Sequence, residues 1–204
     1  LSFFDVDKTA NVDEKKQTMT LRHLLTMSEG LRWNENVPYI DPINTFTVMA
    51  RSLDWVQFTL DQPMAAAPGT RFNYNSGASL ILGQIFLQST GIDIEAYTAQ
   101  HLFRPLGITG DECKRTPFGL ADTQEGLFLS TRDLAKIAYL YLQKGRWNHK
   151  TVIPEIRLIL GLVVCGCRLF RIHAGRPGLN CIRRGWGGGG RSPPQILADK
   201  LKLS

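Results

Sequence analysis

Pro68-Gly69-Thr70-Arg71-Phe72-Asn73-Tyr74-Asn75-Ser76-Gly77 sets a Pro-Gly turn and a short extended run directly before a segment with clear helical periodicity. Ala78, Ile81, Leu82, Ile85 and Phe86 recur at i, i+3, i+4, i+7 and i+8, which marks one face of an α-helix, and Gly91 suits its left-handed stop. A turn on one side and a helix on the other hold the Tyr74 ring in a fixed place, the condition under which a side chain works well as a catalytic base. The plain alternative for any Tyr-x-Ser is a half-buried packing tyrosine followed by a serine that caps the helix.

Working outward, Thr20 is placed to cap a short helix that carries Leu21, Leu24 and Leu25 inward and ends at Gly30. A helical region over residues 46–60 breaks near Ser52 and stops before Pro63, with Trp55, Phe58 and Leu60 read as core. Residues 93–103 read as another helix, and 126–129 as a short strand. Ser130 followed by Asp133 has the spacing of a capping box, opening a helix in which Leu134, Ile137, Ala138, Tyr141 and Leu142 face one way until Gly145. No internal repeat is present, and Gly187 to Gly190 is the one low-complexity run.

Taken with TLRHLLTMSEGLRW at 20–33, FRPLGIT at 103–109 and GLFLSTRDLAKIAYLYLQKGRW at 126–147, the Tyr74 segment resembles the serine hydrolases of the class C β-lactamase, penicillin-binding protein and esterase family, over roughly residues 18–155. The resemblance implies an α/β (α+β) fold of the β-lactamase/transpeptidase type. In it, an antiparallel sheet comes from the two ends of the chain and a mainly helical region lies between, and this chain covers mainly the helical region. It implies hydrolysis of a small-molecule ester, amide or β-lactam through a serine acyl-enzyme, with Tyr74 as base and no cofactor or metal. The family's Tyr-x-Asn stands here as Tyr74-Asn75-Ser76, which makes Ser76 and Asn75 the expected polar substrate contacts and moves the expectation away from a strict β-lactamase. No serine in the chain has a lysine three residues later, so the family's nucleophile motif Ser-x-x-Lys is missing and the chain reads as part of an enzyme.

The chemistry explains why a tyrosine matters. Acyl transfer needs a serine oxygen relieved of its proton, and a phenolate can take that proton and return it to the leaving group. An unperturbed phenol titrates near ~10, so a neighbouring ammonium must favour its charged form. Other candidates carry less. Thr26-Met27-Ser28-Glu29-Gly30 approaches a nucleophile elbow but follows a helix where the elbow follows a strand, so it reads as a helix end. His23 reads as solvated, His101 as packed one turn after Tyr97, and Lys150-Thr151 as loop. Cys165, Cys167, His173 and Cys181 match no standard zinc spacing, and Arg183-Arg184-Gly185-Trp186 is a solitary hint of nucleic-acid contact.

Charge divides the chain. Residues 1–155 hold 15 Lys and Arg against 17 Asp and Glu, net −2, whereas 156–204 hold 9 against 1, net +8, within a total of +6. The basic balance belongs to the tail, and no nucleic-acid partner is expected of the body. Residues 1–155 are thus read as a partial β-lactamase-like domain and 156–204 as a separate basic tail. Three of the four cysteines also fall in the tail, so no disulfide framework is indicated. The longest apolar run, Leu158 to Val164, is well short of the ~20 residues of a membrane span. Localisation and oligomeric state are not legible. The runner-up function is a non-catalytic remnant or pseudoenzyme that binds in the same cleft, and the DNA directly upstream separates the two by encoding Ser-x-x-Lys or not.

One reading joins the tail's charge and cysteines: a shift of reading frame after about Pro154. Codons CTG GTG GTN, which would encode Leu162-Val163-Val164, contain one base over the Trp-Trp codons that the family resemblance places after this helix. Resequencing of codons 150–165 is expected to find an insertion or deletion. An unaltered sequence in a translated transcript would end this reading and restore the zinc and nucleic-acid alternatives.

Overall fold

Side-chain caps open each α-helix of the computed structural model, which describes residues 2–155. The helices are α1 (Glu14–Gln17), α2 (Leu21–Leu25), α3 (Thr45–Ala50), α4 (Trp55–Leu60), α5 (Ser76–Thr90), α6 (Ile94–Thr98) and α7 (Thr131–Leu142). Their N-caps are Asp13, Thr20, Asn44, Asp54, Asn75, Asp93 and Ser130, each accepting from a backbone N–H of the first turn. Such a cap satisfies a donor that the helix cannot satisfy itself and is worth about 1 kcal/mol. Five of the seven helices span six residues or fewer, so packing rather than propensity must hold them.

The packing centres on α5, the longest element at 15 residues. Ala78, Ile81 and Ile85 join Met19, Leu24 and Leu60 in one core cluster, while Leu80 turns the other way to meet Trp33 and Met49 in a second. The helix is therefore buried on more than the single face that its periodicity marked. At Gly77 α4 comes close: a Cβ built there would stand 2.2 Å from Thr59 Oγ1 and 2.5 Å from Thr59 Cγ2. Lys16 ties the N-terminal segment to the end of α4, its buried ammonium donating to Ala10 O and Leu60 O at 2.8 and 2.7 Å.

A third cluster, Phe103, Leu106, Ile108 and Leu140, organises the second half. Here α6 continues through a π-helical turn, Ala99–Phe103. The strands are short: β1 (Glu112–Cys113) pairs antiparallel with β2 (Leu127–Phe128), and β3 (Arg146–Trp147) with β4 (Lys150–Thr151). Among the described residues the protein is mostly helical with little sheet, as expected. No helix there is long and apolar enough to cross a membrane.

Several local expectations change. Of the three leucines assigned inward on α2, Leu24 is buried, while Leu21 and Leu25 are exposed. On α7 the buried residue is Leu140, one turn after Ile137, and Leu142 stands 78 % exposed. Lys150-Thr151 is a strand rather than loop, because Asn148 and His149 both take positive φ (46° and 64°), as the two-residue turn of a tight hairpin requires. The tail candidates Cys165, Cys167, His173, Cys181 and the Arg183-Arg184-Gly185-Trp186 run lie outside the described residues, as does the proposed change of frame.

The Gly77 contact generates a stability prediction. Gly77→Ala gains up to ~1 kcal/mol of helix propensity but drives a methyl into Thr59, an overpacking cost of about 1–3 kcal/mol. Net destabilisation is expected in urea unfolding, partly relieved by adding Thr59→Ala. A more stable single variant would show that α4 and α5 do not meet at this point.

Candidate active site

Tyr74 sits half-buried immediately before the cap of α5. Gly69, at φ +81°, turns the chain ahead of it, with Thr70 N donating to Ala67 O. The turn is anchored on the end of α2: Gly69 N donates to Ser28 O at 2.7 Å, and the imidazole of His23 lies over Gly69. His23 is thus not solvated as expected. It is half-buried, and its Nδ1 accepts from Thr20 N to complete the capping box of α2. Burial, then neighbouring Arg22, holds its pKa below the ordinary histidine value. His101 does pack on Tyr97, with ring centroids 4.4 Å apart.

The residues around Tyr74 are held one by one by residues 27–35. Asn73 N donates to Met27 O at 2.8 Å and Asn73 Nδ2 to Trp33 O at 2.9 Å. Asn75, fully buried, caps α5 through Oδ1 and donates from Nδ2 to Glu29 Oε1 at 2.8 Å. Ser76 donates twice to Glu35, from N to Oε2 at 2.8 Å and from Oγ to Oε1 at 2.7 Å. Trp33 Nε1 completes the set with a 2.6 Å bond to Glu35 Oε2. Asn75 and Ser76, expected as substrate contacts, therefore have their polar groups engaged inside the protein and would reach a substrate only by releasing these glutamates.

Glu29 and Glu35 went unrecognised in the sequence, although a signal was there. Glu29, Leu31, Trp33 and Glu35 are buried, while Arg32 and Asn36 are exposed, a period-two pattern with an acid at each end. Backbone bonds from Arg32 N to Pro63 O and from Ala65 N to Gly30 O keep this run extended. Gly30 is needed there, since its φ is +82° and a Cβ would fall 2.4 Å from Ala66 O. Burial raises the Glu29 pKa from 4.5 to about 7, against the lowering effect of its own backbone amide and of Asn75. Its Oε2 has no hydrogen-bond partner.

A groove of about 370 Å³ opens elsewhere, between α4, α5 and residues 116–120, lined by Trp55, Leu60, Leu87, Phe118 and Leu120 among others. Tyr74 and the two glutamates do not border it. Among the described residues no cluster of His, Cys, Asp or Glu could hold a metal ion.

The chain belongs to the beta-lactamase family, whose family model (Beta-lactamase) matches residues 6–157. Its relatives extend beyond hydrolases. It is 32% identical over 111 residues to monacolin J acid methylbutanoyltransferase of Aspergillus terreus, and 29% to ML-236A carboxylate methylbutanoyltransferase of Penicillium citrinum. Each match covers 53% of this chain and 26% of the relative, so the chain spans about a quarter of the length of the curated relatives it matches. Its fold is similar to that of a protein assigned as a 6-aminohexanoate-dimer hydrolase from Bacillus anthracis (TM-score 0.59, 20% identity, 77% of this chain and 46% of that one). It is also similar to a penicillin binding protein from Bacillus halodurans (TM-score 0.53, 18% identity, 77% and 56%). The β-lactamase/transpeptidase-like fold stands as expected, and the expectation of a hydrolase widens to a family that includes acyltransferases.

Glu29 makes stability depend on pH. Its folded pKa lies above the ordinary value, so its stabilising contribution is complete below about pH 4.5 and lost as pH rises through about 7. Glu29→Gln keeps the oxygen that Asn75 needs and removes the titration. The variant's stability relative to the parent should rise by up to ~3 kcal/mol between about pH 4.5 and 8.5 in urea unfolding. Parallel pH profiles would show that Glu29 titrates normally.

Proposed function

We propose that this chain carries the proton-transfer side of a serine acyl-transfer site, with Tyr74 as the general base. The carrying observation is the placement of Tyr74 between a turn and a buried cap whose neighbours on both sides are hydrogen-bonded to residues 27–35. A phenolic oxygen so held takes the proton from an attacking serine hydroxyl as its oxygen bonds to the acyl carbon, then delivers that proton to the departing alcohol, amine or lactam nitrogen. Water or a second alcohol next attacks the acyl-enzyme, giving hydrolysis or transfer. The substrate class is a small-molecule ester, amide or β-lactam. The acyltransferase relatives favour an acceptor other than water as one outcome.

The serine itself is supplied by a Ser-x-x-Lys pair, which these 204 residues do not contain. The conspicuous serines near Tyr74 do not replace it. Ser28 Oγ is bonded to Thr26 Oγ1 at 2.7 Å, and Ser76 Oγ lies buried against Glu35. The second reading, a non-catalytic binding protein, draws on the same missing pair. The 204-residue chain should therefore remain unlabelled by a fluorophosphonate probe and by a labelled penicillin in intact-mass spectrometry. Stoichiometric labelling at any serine would overturn this assignment and identify the nucleophile.

Where a Ser-x-x-Lys pair accompanies these residues, Tyr74→Phe should lower the acylation rate about 10²–10⁴-fold, since it removes the oxygen and keeps the ring. Near-full activity in a folded Phe variant would make Tyr74 a packing residue.

A further inference from the structure

We propose that Glu29 and Glu35 are positioning residues for Tyr74: two buried carboxyl groups on one extended segment that grip the two residues following the ring and so fix the stretch of backbone that presents it. The proposal rests on Tyr74 being the base and adds what holds it.

Capping alone does not account for the pair. The Asn75 side chain already satisfies the first turn of α5 through Ala78 N, so helix formation does not require Glu29. Glu29 moreover leaves Oε2 buried without a partner, a cost that an apolar side chain of similar size would avoid. What its other oxygen does is hold Asn75, which is covalently next to Tyr74. Glu35 extends the hold by one residue, binding both the amide and the hydroxyl of Ser76, and is itself oriented by the indole of Trp33. Trp33 is set in turn by edge-on packing against Phe58, with centroids 6.4 Å apart, and its carbonyl accepts from Asn73 on the other side of the tyrosine. Residues 73, 75 and 76 are thus tied to a single strand-like run, which holds the backbone of Tyr74 from both sides. A base gains its effect from being held within a fraction of an ångström of its target, which is what this arrangement supplies.

The test is ¹⁹F NMR of the chain labelled with 3-fluorotyrosine. Its five tyrosines give five resonances, and that of Tyr74 is assigned by its loss in Tyr74→Phe. In Glu29→Leu the Tyr74 resonance should shift or split, while those of Tyr39, Tyr97, Tyr139 and Tyr141 stay in place. Glu29→Gln, which still accepts from Asn75 Nδ2, should restore the parent spectrum. Asn75→Ser keeps a capping oxygen but loses the amide nitrogen that reaches Glu29 Oε1, and should perturb the Tyr74 resonance in the same way; it decides the matter if Glu29→Leu does not fold. A Tyr74 resonance unmoved in Asn75→Ser, or one that moves only together with the other four, would overturn the proposal. Because the spectrum reports on position and Tyr74→Phe on acylation, failure of the clamp is distinguishable from failure of the base assignment.

Discussion

A carboxyl group out of reach of water is costly unless its oxygens are occupied, and Glu35 offsets that cost by drawing three donors to itself. Two come from Ser76 and one from Trp33, so a single side chain joins the start of α5 to an extended segment 41 residues earlier in the chain. Removing it would strand buried donors at about 1–3 kcal/mol each, more than the net gain of the bonds themselves. The packing of α5 is built on this junction. The helix enters the core at Ser76 with its orientation already set, and Gly77 then permits the close approach of α4 one residue later.

The same junction relates fold to function. A helix buried on several sides makes a stiff platform, and a side chain at its entrance inherits that stiffness without being buried. Tyr74 is in that position. The chain's family includes two methylbutanoyltransferases, and under the proposed assignment the platform would hold Tyr74 as a proton acceptor for acyl transfer. The near-neutral pKa of Glu29 gives this part of the protein a sensitivity to pH.

Much of this was legible in sequence because it depends on local rules. The caps at Thr20 and Ser130, the glycine stop at 91, the break between α3 and α4 and the face Ala78, Ile81, Ile85 all follow from neighbours within a turn or two, whereas α2 ends at Leu25, well before the expected Gly30 stop. The errors have a common cause. Leu25 and Leu142 satisfied helical spacing, yet short helices present one narrow face to the core, and which leucine occupies it depends on distant partners such as Phe103 and Ile108 for Leu140. Burial of Leu80 likewise needed Trp33 and Met49 on the far side of α5. Glu29 and Glu35 escaped notice because acids are ordinarily read as surface residues. Their alternation with Leu31 and Trp33 was the available sign, but the donors that make them tolerable lie more than 40 positions away at Asn75 and Ser76.

The claim that residues 27–35 hold the Tyr74 segment is most directly tested by native-state hydrogen exchange at the Ser76 amide. First-turn amides of a helix have no intrahelical acceptor and ordinarily exchange early. The Ser76 amide, donating to buried Glu35, should instead be protected to the same degree as those of Leu80 and Ile81 deep in α5. Exchange of Ser76 at the rate of an unprotected first-turn amide, with Leu80 and Ile81 still protected, would contradict the account.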